Sequence, residues 1–150
     1  MKTTEKYGKK TDIALSLWVK LARAYYTCAK LSTDNIKTFG LTRPQFCVIE
    51  CLGHQGEITL TLLSSKLLVT GGNITLVVDN LEKEGLVERI RSKEDRRTIN
   101  VKLTSKGEGV FKNIFKKHAD FITKNVQALT EKEQVQLGKL LKKLGTSLKS

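Results

Sequence analysis

The chain has 150 residues, enough for one domain with a real core, and its 39% hydrophobic and 28% charged content is that of a globular protein rather than a disordered one. A net charge of +12 favours a polyanionic partner, but it divides as +4 over residues 1–58, +2 over 59–104 and +6 over 105–150, so a nucleic-acid reading has to rest on particular residues. No apolar run approaches the ~18–20 residues of a membrane span, the polar start "MKTTEKYGKKTD" has no secretory core, and three cysteines without a framework spacing point to a reducing cytoplasm.

Apolar groups recur at helical spacing over residues 12–32, with Ile13, Leu17, Leu21, Tyr25 and Cys28 in one stripe and Trp18 and Ala24 beside it. This predicts a helix of about six turns. "GLTRPQF" starts a second helix. Thr42 is a good N-cap, Pro44 is tolerated in the first turn, Gln45 completes a capping box, and "GHQG" is the stop. A third, about two turns long, runs from Thr59 or Thr61 through "LTLLSSKLL". After "VTGG", the run "NITLVVDNLEKEG" places Ile74, Val77, Val78 and Leu81 on one helical face and Gly85 at the C′ position. "LVERIR" and "TINVKL" have the period of half-buried strands around the loop "SKEDRR", with Ile99, Val101 and Leu103 pointing one way and Asn100 and Lys102 the other. Thr104 opens a long helix carrying Phe111, Ile114, Phe115, His118, Ile122 and Val126. A second capping box, Thr130 to Glu133, opens the last helix, striped by Leu137, Leu141, Leu144 and Leu148.

This order predicts a mainly α protein with a small β-hairpin wing: a winged helix-turn-helix over residues 42–104. Flanking helices over 11–34 and 105–148 are surplus to that core. Their apolar stripes need something to bury against, and a second copy of the chain is the simplest candidate, making residues 1–150 one dimerising domain.

If the Ile74 stripe faces the core, Asn73, Thr75, Leu76 and Asn80 face outward. Asn can pair with adenine, and Thr or Leu can touch a thymine methyl. Gly71 and Gly72 clear side chains from a helix N-terminus that could approach phosphate. In the wing, Arg91, Lys93, Arg96 and Arg97 suit the phosphates and the narrow minor groove, with Arg97 as the inserted group and Asp95, two residues before it, as the acceptor that holds it extended. The plainer alternatives are a surface helix after a Gly-rich turn and a solvated charged hairpin.

"LEKEGLVERIRSKEDRRTINVKLTSKG" resembles the wing region of the MarR family of transcriptional regulators. The Asp-x-Arg signature followed by alternating residues and Leu-Thr is met by Asp95, Arg97, Val101, Leu103 and Thr104. The resemblance covers the whole chain and implies a homodimer on a pseudo-palindromic DNA operator, usually a repressor, released by a small aromatic or phenolic compound or an oxidant. Asn80 departs from it, since many members carry arginine there. "LLVTGGNITLVVDNLEKEGLVER" looks closest to the branch that responds to quinones and catechols.

Trp18, Tyr25, Tyr26, Phe46 and Cys47 are candidates for an effector pocket, with ordinary core packing as the alternative. Cys28, Cys47 and Cys51 read as small hydrophobes or as oxidant sensors. Cys47 and Cys51 stand four apart on one helical face, where an intrahelical disulfide is awkward. His118 on an apolar stripe reads as a core histidine with a hydrogen-bond partner. His54 and His118 are too scattered for a metal site. No phosphate loop or nucleophile–base set is visible, so neither a cofactor nor an enzyme is expected. The leading expectation is a cytoplasmic, dimeric, ligand-responsive repressor without a membrane role. The alternative is a winged helix used for protein assembly, without a DNA role.

Overall fold

A computed structural model of the protein describes residues 6–67, 71–91 and 98–148. The elements run α1 (Lys9–Lys37), α2 (Arg43–Gln55), β1 (Ile58–Thr59), α3 (Leu60–Leu67), α4 (Gly71–Lys83), β2 (Val87–Arg91), β3 (Ile99–Leu103), α5 (Ser105–Val126) and α6 (Glu131–Ser147). The expected caps are in place. Thr42 and Gln45 form a capping box, the Thr59 hydroxyl accepts from the Leu62 amide at 3.1 Å, Thr104 caps α5, and Thr130 and Glu133 form the second box. The first helix outruns its expected span because no glycine or proline interrupts the chain between Gly8 and Gly40, both at positive φ.

The β-hairpin wing is present as β2 and β3, and a third short strand joins it. β1 pairs antiparallel with β3, giving a three-stranded sheet of order β1-β3-β2. Ile58 lies opposite Val101 and Thr59 opposite Asn100, while Val87 to Arg91 on β2 face Leu103 to Ile99. A two-residue strand is too short to show a period. Ile99 also departs from expectation. It shares a face with the buried Val101 and Leu103 but lies beyond the core and is exposed.

The core forms where α2 crosses the winged unit. Val48, Ile49 and Leu52 of α2 pack with Leu63 of α3, Val78 and Leu81 of α4, and Val87 and Val101 of the sheet, all essentially inaccessible to solvent. α5 is fastened to this unit at its first turn. The Thr104 hydroxyl donates to the Gly85 carbonyl at 2.7 Å, the Thr104 amide donates to Leu86 O at 3.1 Å, and Lys106 Nζ donates to Glu84 O at 2.7 Å. Gly107 makes this docking sterically possible, since a Cβ there would stand 2.0 Å from the Leu86 carbonyl oxygen.

A second joint involves three helices. His118 of α5 is buried, and its Nδ1–H donates to Asn35 Oδ1 of α1 at 2.8 Å. Its ring meets Phe46 of α2 edge-on, with centroids 4.7 Å apart. This is the partnered core histidine expected from the stripe. Burial pushes its pKa below the ordinary value, against a smaller opposing effect of Glu50.

The outer helices are different. Ile13, Leu17, Trp18 and Tyr25 on α1 are all exposed, and α6 contributes no buried residue. Their stripes exist as expected, and this chain alone does not cover them.

Two outcomes follow from these joints. Gly107→Ala forces α5 off the Leu86 carbonyl and should destabilise the fold by about 1–3 kcal/mol, read from denaturant midpoints; an unchanged midpoint would refute the docking. His118 is held neutral in the fold, so its stabilising effect is complete above its ordinary value of 6.5 and is lost as pH falls below that toward the lowered folded pKa. Melting temperature should therefore fall more steeply from about pH 7 to about pH 5 in the wild type than in His118→Gln, and parallel curves would exclude this role.

Candidate nucleic-acid interface

α3 and α4 are joined at a bend of 110°, within the range of a helix-turn-helix. α4 is held by its inner stripe, with Ile74, Val78 and Leu81 buried and Val77 packed against the core. The opposite face is open. Gly71, Gly72, Asn73, Thr75, Leu76 and Asn80 are exposed together, and Leu76 keeps 63% of its surface accessible. No heavy atom comes within 4 Å of where a Cβ would stand at Gly71 or Gly72. The Thr75 hydroxyl donates to Gly71 O at 2.9 Å, leaving its methyl and oxygen lone pairs on the outer face. Such a face offers amide, hydroxyl and apolar groups to base edges.

β2 packs against α4. Arg91 ends β2 and is exposed. Lys93, Asp95, Arg96 and Arg97 lie outside the described residues.

Arg89 is the residue of this region that sequence reasoning missed, because nothing local to β2 marks it as different from the exposed Arg91. It points back at the recognition helix. Nη2 donates to Asp79 Oδ1 at 2.6 Å and to the Thr75 carbonyl at 3.4 Å. Nη1 pairs with Glu82 Oε2, and the Arg89 amide donates to Glu82 Oε1 at 3.1 Å. Its side chain is only 20% exposed. Two signals were present in the sequence. Period-two alternation from the buried Val87 sends residue 89 to the same side, and Asp79 and Glu82 stand three apart on one helical face. The planar guanidinium can serve both carboxylates at once, which a lysine cannot do with the same geometry.

The effector candidates are not gathered into a closed site within one chain. Phe46 is in the core against His118 and Cys47 is half-buried, while Trp18, Tyr25 and Tyr26 are exposed on α1, with Trp18 at 65%. The Tyr25 and Tyr26 rings meet edge-on at 5.6 Å. Among the described residues, no group of three or more His, Cys, Asp or Glu could hold a metal ion, and no single helix is long and apolar enough to cross a membrane.

The sequence profile of the MarR family matches residues 41–99, from the start of α2 to the start of β3. The HTH-type transcriptional regulator MhqR of Bacillus subtilis (strain 168) is 35% identical over 139 residues, covering 93% of this chain and 96% of that protein. The chain belongs to the MarR family. Two solved structures of similar proteins place this membership in three dimensions. A MarR mutant from E. coli, complexed with operator DNA, has a TM-score of 0.78 and 25% identity over 91% of this chain and 99% of that one. Streptococcus pneumoniae FabT, in complex with DNA, has a TM-score of 0.70 and 25% identity over 89% of this chain and 96% of that one. This MarR-family protein is thus a transcriptional regulator with a winged helix-turn-helix.

The division of labour between two neighbouring arginines can be measured. Arg89→Met unpairs Asp79 and Glu82 and should cost about 1–2 kcal/mol of stability. Arg91→Ala should leave stability within about 0.5 kcal/mol of wild type while weakening DNA binding and lowering the salt slope by about one unit. Equal melting losses in the two variants would contradict the assignment.

Proposed function

We propose that this MarR-family regulator is a homodimeric repressor that reads a pseudo-palindromic operator. The observation that carries this reading is the exposed Asn73, Thr75, Leu76 and Asn80 face of α4, set on a helix-turn-helix whose inner face is fully packed. In this reading Gly71 and Gly72 let the backbone reach phosphate, Arg91, Lys93 and Arg96 add phosphate contacts, and Arg97 enters the minor groove with Asp95 as its orienter. Residues 42–104 act as the DNA-reading core, and 11–34 and 105–148 as dimerisation segments. The exposed stripes of α1 and α6 support that assignment, because a twofold partner would cover them without any other protein. The protein works in the cytoplasm and carries out no catalysis.

Release follows from binding a small phenolic or quinone-like compound. In this reading Trp18, Tyr25, Tyr26, Phe46 and Cys47 contribute to the effector response, and a ligand wedged between the long helices and the core changes the spacing of the two recognition helices. Such a ligand releases DNA only as far as it prefers the DNA-incompetent arrangement.

The test is binding to the DNA upstream of the protein's own gene, titrated with salt and with a panel of phenols and quinones. A preference over random DNA of roughly a thousandfold or more is expected, with a steep salt dependence. Equal affinity for all sequences would favour the assembly role. Leu141→Glu should split the dimer and collapse operator affinity, because each half-site supplies only part of the binding energy. A wild-type protein that is monomeric at micromolar concentration would end the dimer reading.

A further inference from the structure

Cys47 and Cys51 stand four residues apart on the 13-residue helix α2, with both thiols free and both half-buried. Each is raised above the ordinary cysteine pKa, first by burial. Glu50 raises both further, while Arg43 opposes the shift at Cys47 and Lys66 opposes it at Cys51. The two residues share one face of α2, about one helical turn apart. α2 packs against α3, and Cys51 borders the hydrophobic core.

Helix geometry holds side chains at this spacing with Cβ atoms about 5–6 Å apart, whereas a disulfide needs about 3.5–4.5 Å. A direct S–S bond therefore requires the helix to bend. A single larger atom shared between the two sulfurs does not. Thiolates select soft partners, but a resident divalent metal needs three or four protein ligands, and among the described residues no such group is present. The matching chemistry is a soft centre that brings its own third substituent and takes two sulfurs.

We propose that Cys47 and Cys51 form a dithiol site for monosubstituted trivalent arsenicals. With phenylarsine oxide, both S–H bonds break and two As–S bonds form. The oxide oxygen leaves with the two thiol protons as one water, and arsenic stays trivalent throughout. No oxidant or reductant takes part. The site shares Cys47 with the phenolic effector set but needs none of its aromatic residues, so it stands whether or not that assignment holds.

The experiment is titration of the full-length protein with phenylarsine oxide, followed by intact mass spectrometry in excess monothiol. One phenylarsine unit per protomer should survive the monothiol and be removed by a dithiol. Because the second As–S bond forms within an already tethered complex, Cys47→Ser or Cys51→Ser should each weaken binding by roughly a hundredfold or more, and Cys28→Ser should leave it unchanged. Circular dichroism checks the fold of each variant. Peptide mapping of the wild type gives a reading that no variant can spoil. Lys37 and Lys66 bound a tryptic peptide that holds both Cys47 and Cys51 but not Cys28, and the adduct should sit on that peptide alone. An adduct that persists in either single α2 variant, requires Cys28, links two peptides or fails to form in the wild type overturns the proposal.

Discussion

The Arg89 guanidinium sits where the recognition helix meets the wing, and the arrangement of the outer surface depends on its pairing with Asp79 and Glu82. α4 and β2 are joined by a short turn through Gly85 at positive φ, which backbone hydrogen bonds and the first turn of α5 hold in place. Three side-chain contacts from one planar group to α4, together with the Arg89 amide on Glu82, also hold β2 to α4. Both carboxylates are about 40% exposed, so water weakens each pair and the net energy of each is modest. The apolar core beneath supplies most of the stability. What the ion pairs contribute is orientation: they fix β2 against α4.

Burial in this chain is uneven, and the unevenness has a physical meaning. The winged unit is closed, with α2 covered by α3, α4, the sheet and α5. The long outer helices are open, and apolar side chains that an isolated domain would hide are left facing water on α1 and α6. A stripe of this extent costs free energy in solution unless another surface covers it. The packed winged unit and the open outer helices are connected through α5 and the His118 joint.

Most of the architecture could be read from pattern because local signals agreed with one another. Thr42, Thr104 and Thr130 each begin a helix with a hydroxyl cap, and Ile74, Val78 and Leu81 show the helical period that buries them. His118 was placed in the core with a partner by the same reasoning. The missed features depend on tertiary neighbours. β1 is two residues long and acquires its identity only from Val101 and Asn100 across the sheet. Arg89 looks like any basic wing residue until the distant acids of α4 are placed beside it. Phe46 and Trp18, adjacent in the effector argument, have opposite surroundings, one in the core and one on the surface. Periodicity identifies the face a residue occupies, but whether that face is covered depends on what packs there.

The docking of Gly107 under Leu86 makes α5 a strut. Its first turn is pinned to the α4–β2 turn by the Thr104 and Lys106 hydrogen bonds and by van der Waals contact at the glycine. About 16 Å further along, His118 fastens it again to Asn35 of α1 and Phe46 of α2. Two anchors on a rod of 22 residues, about 33 Å long, fix its direction as well as its position, and that direction is what the winged unit hands to the outer helices.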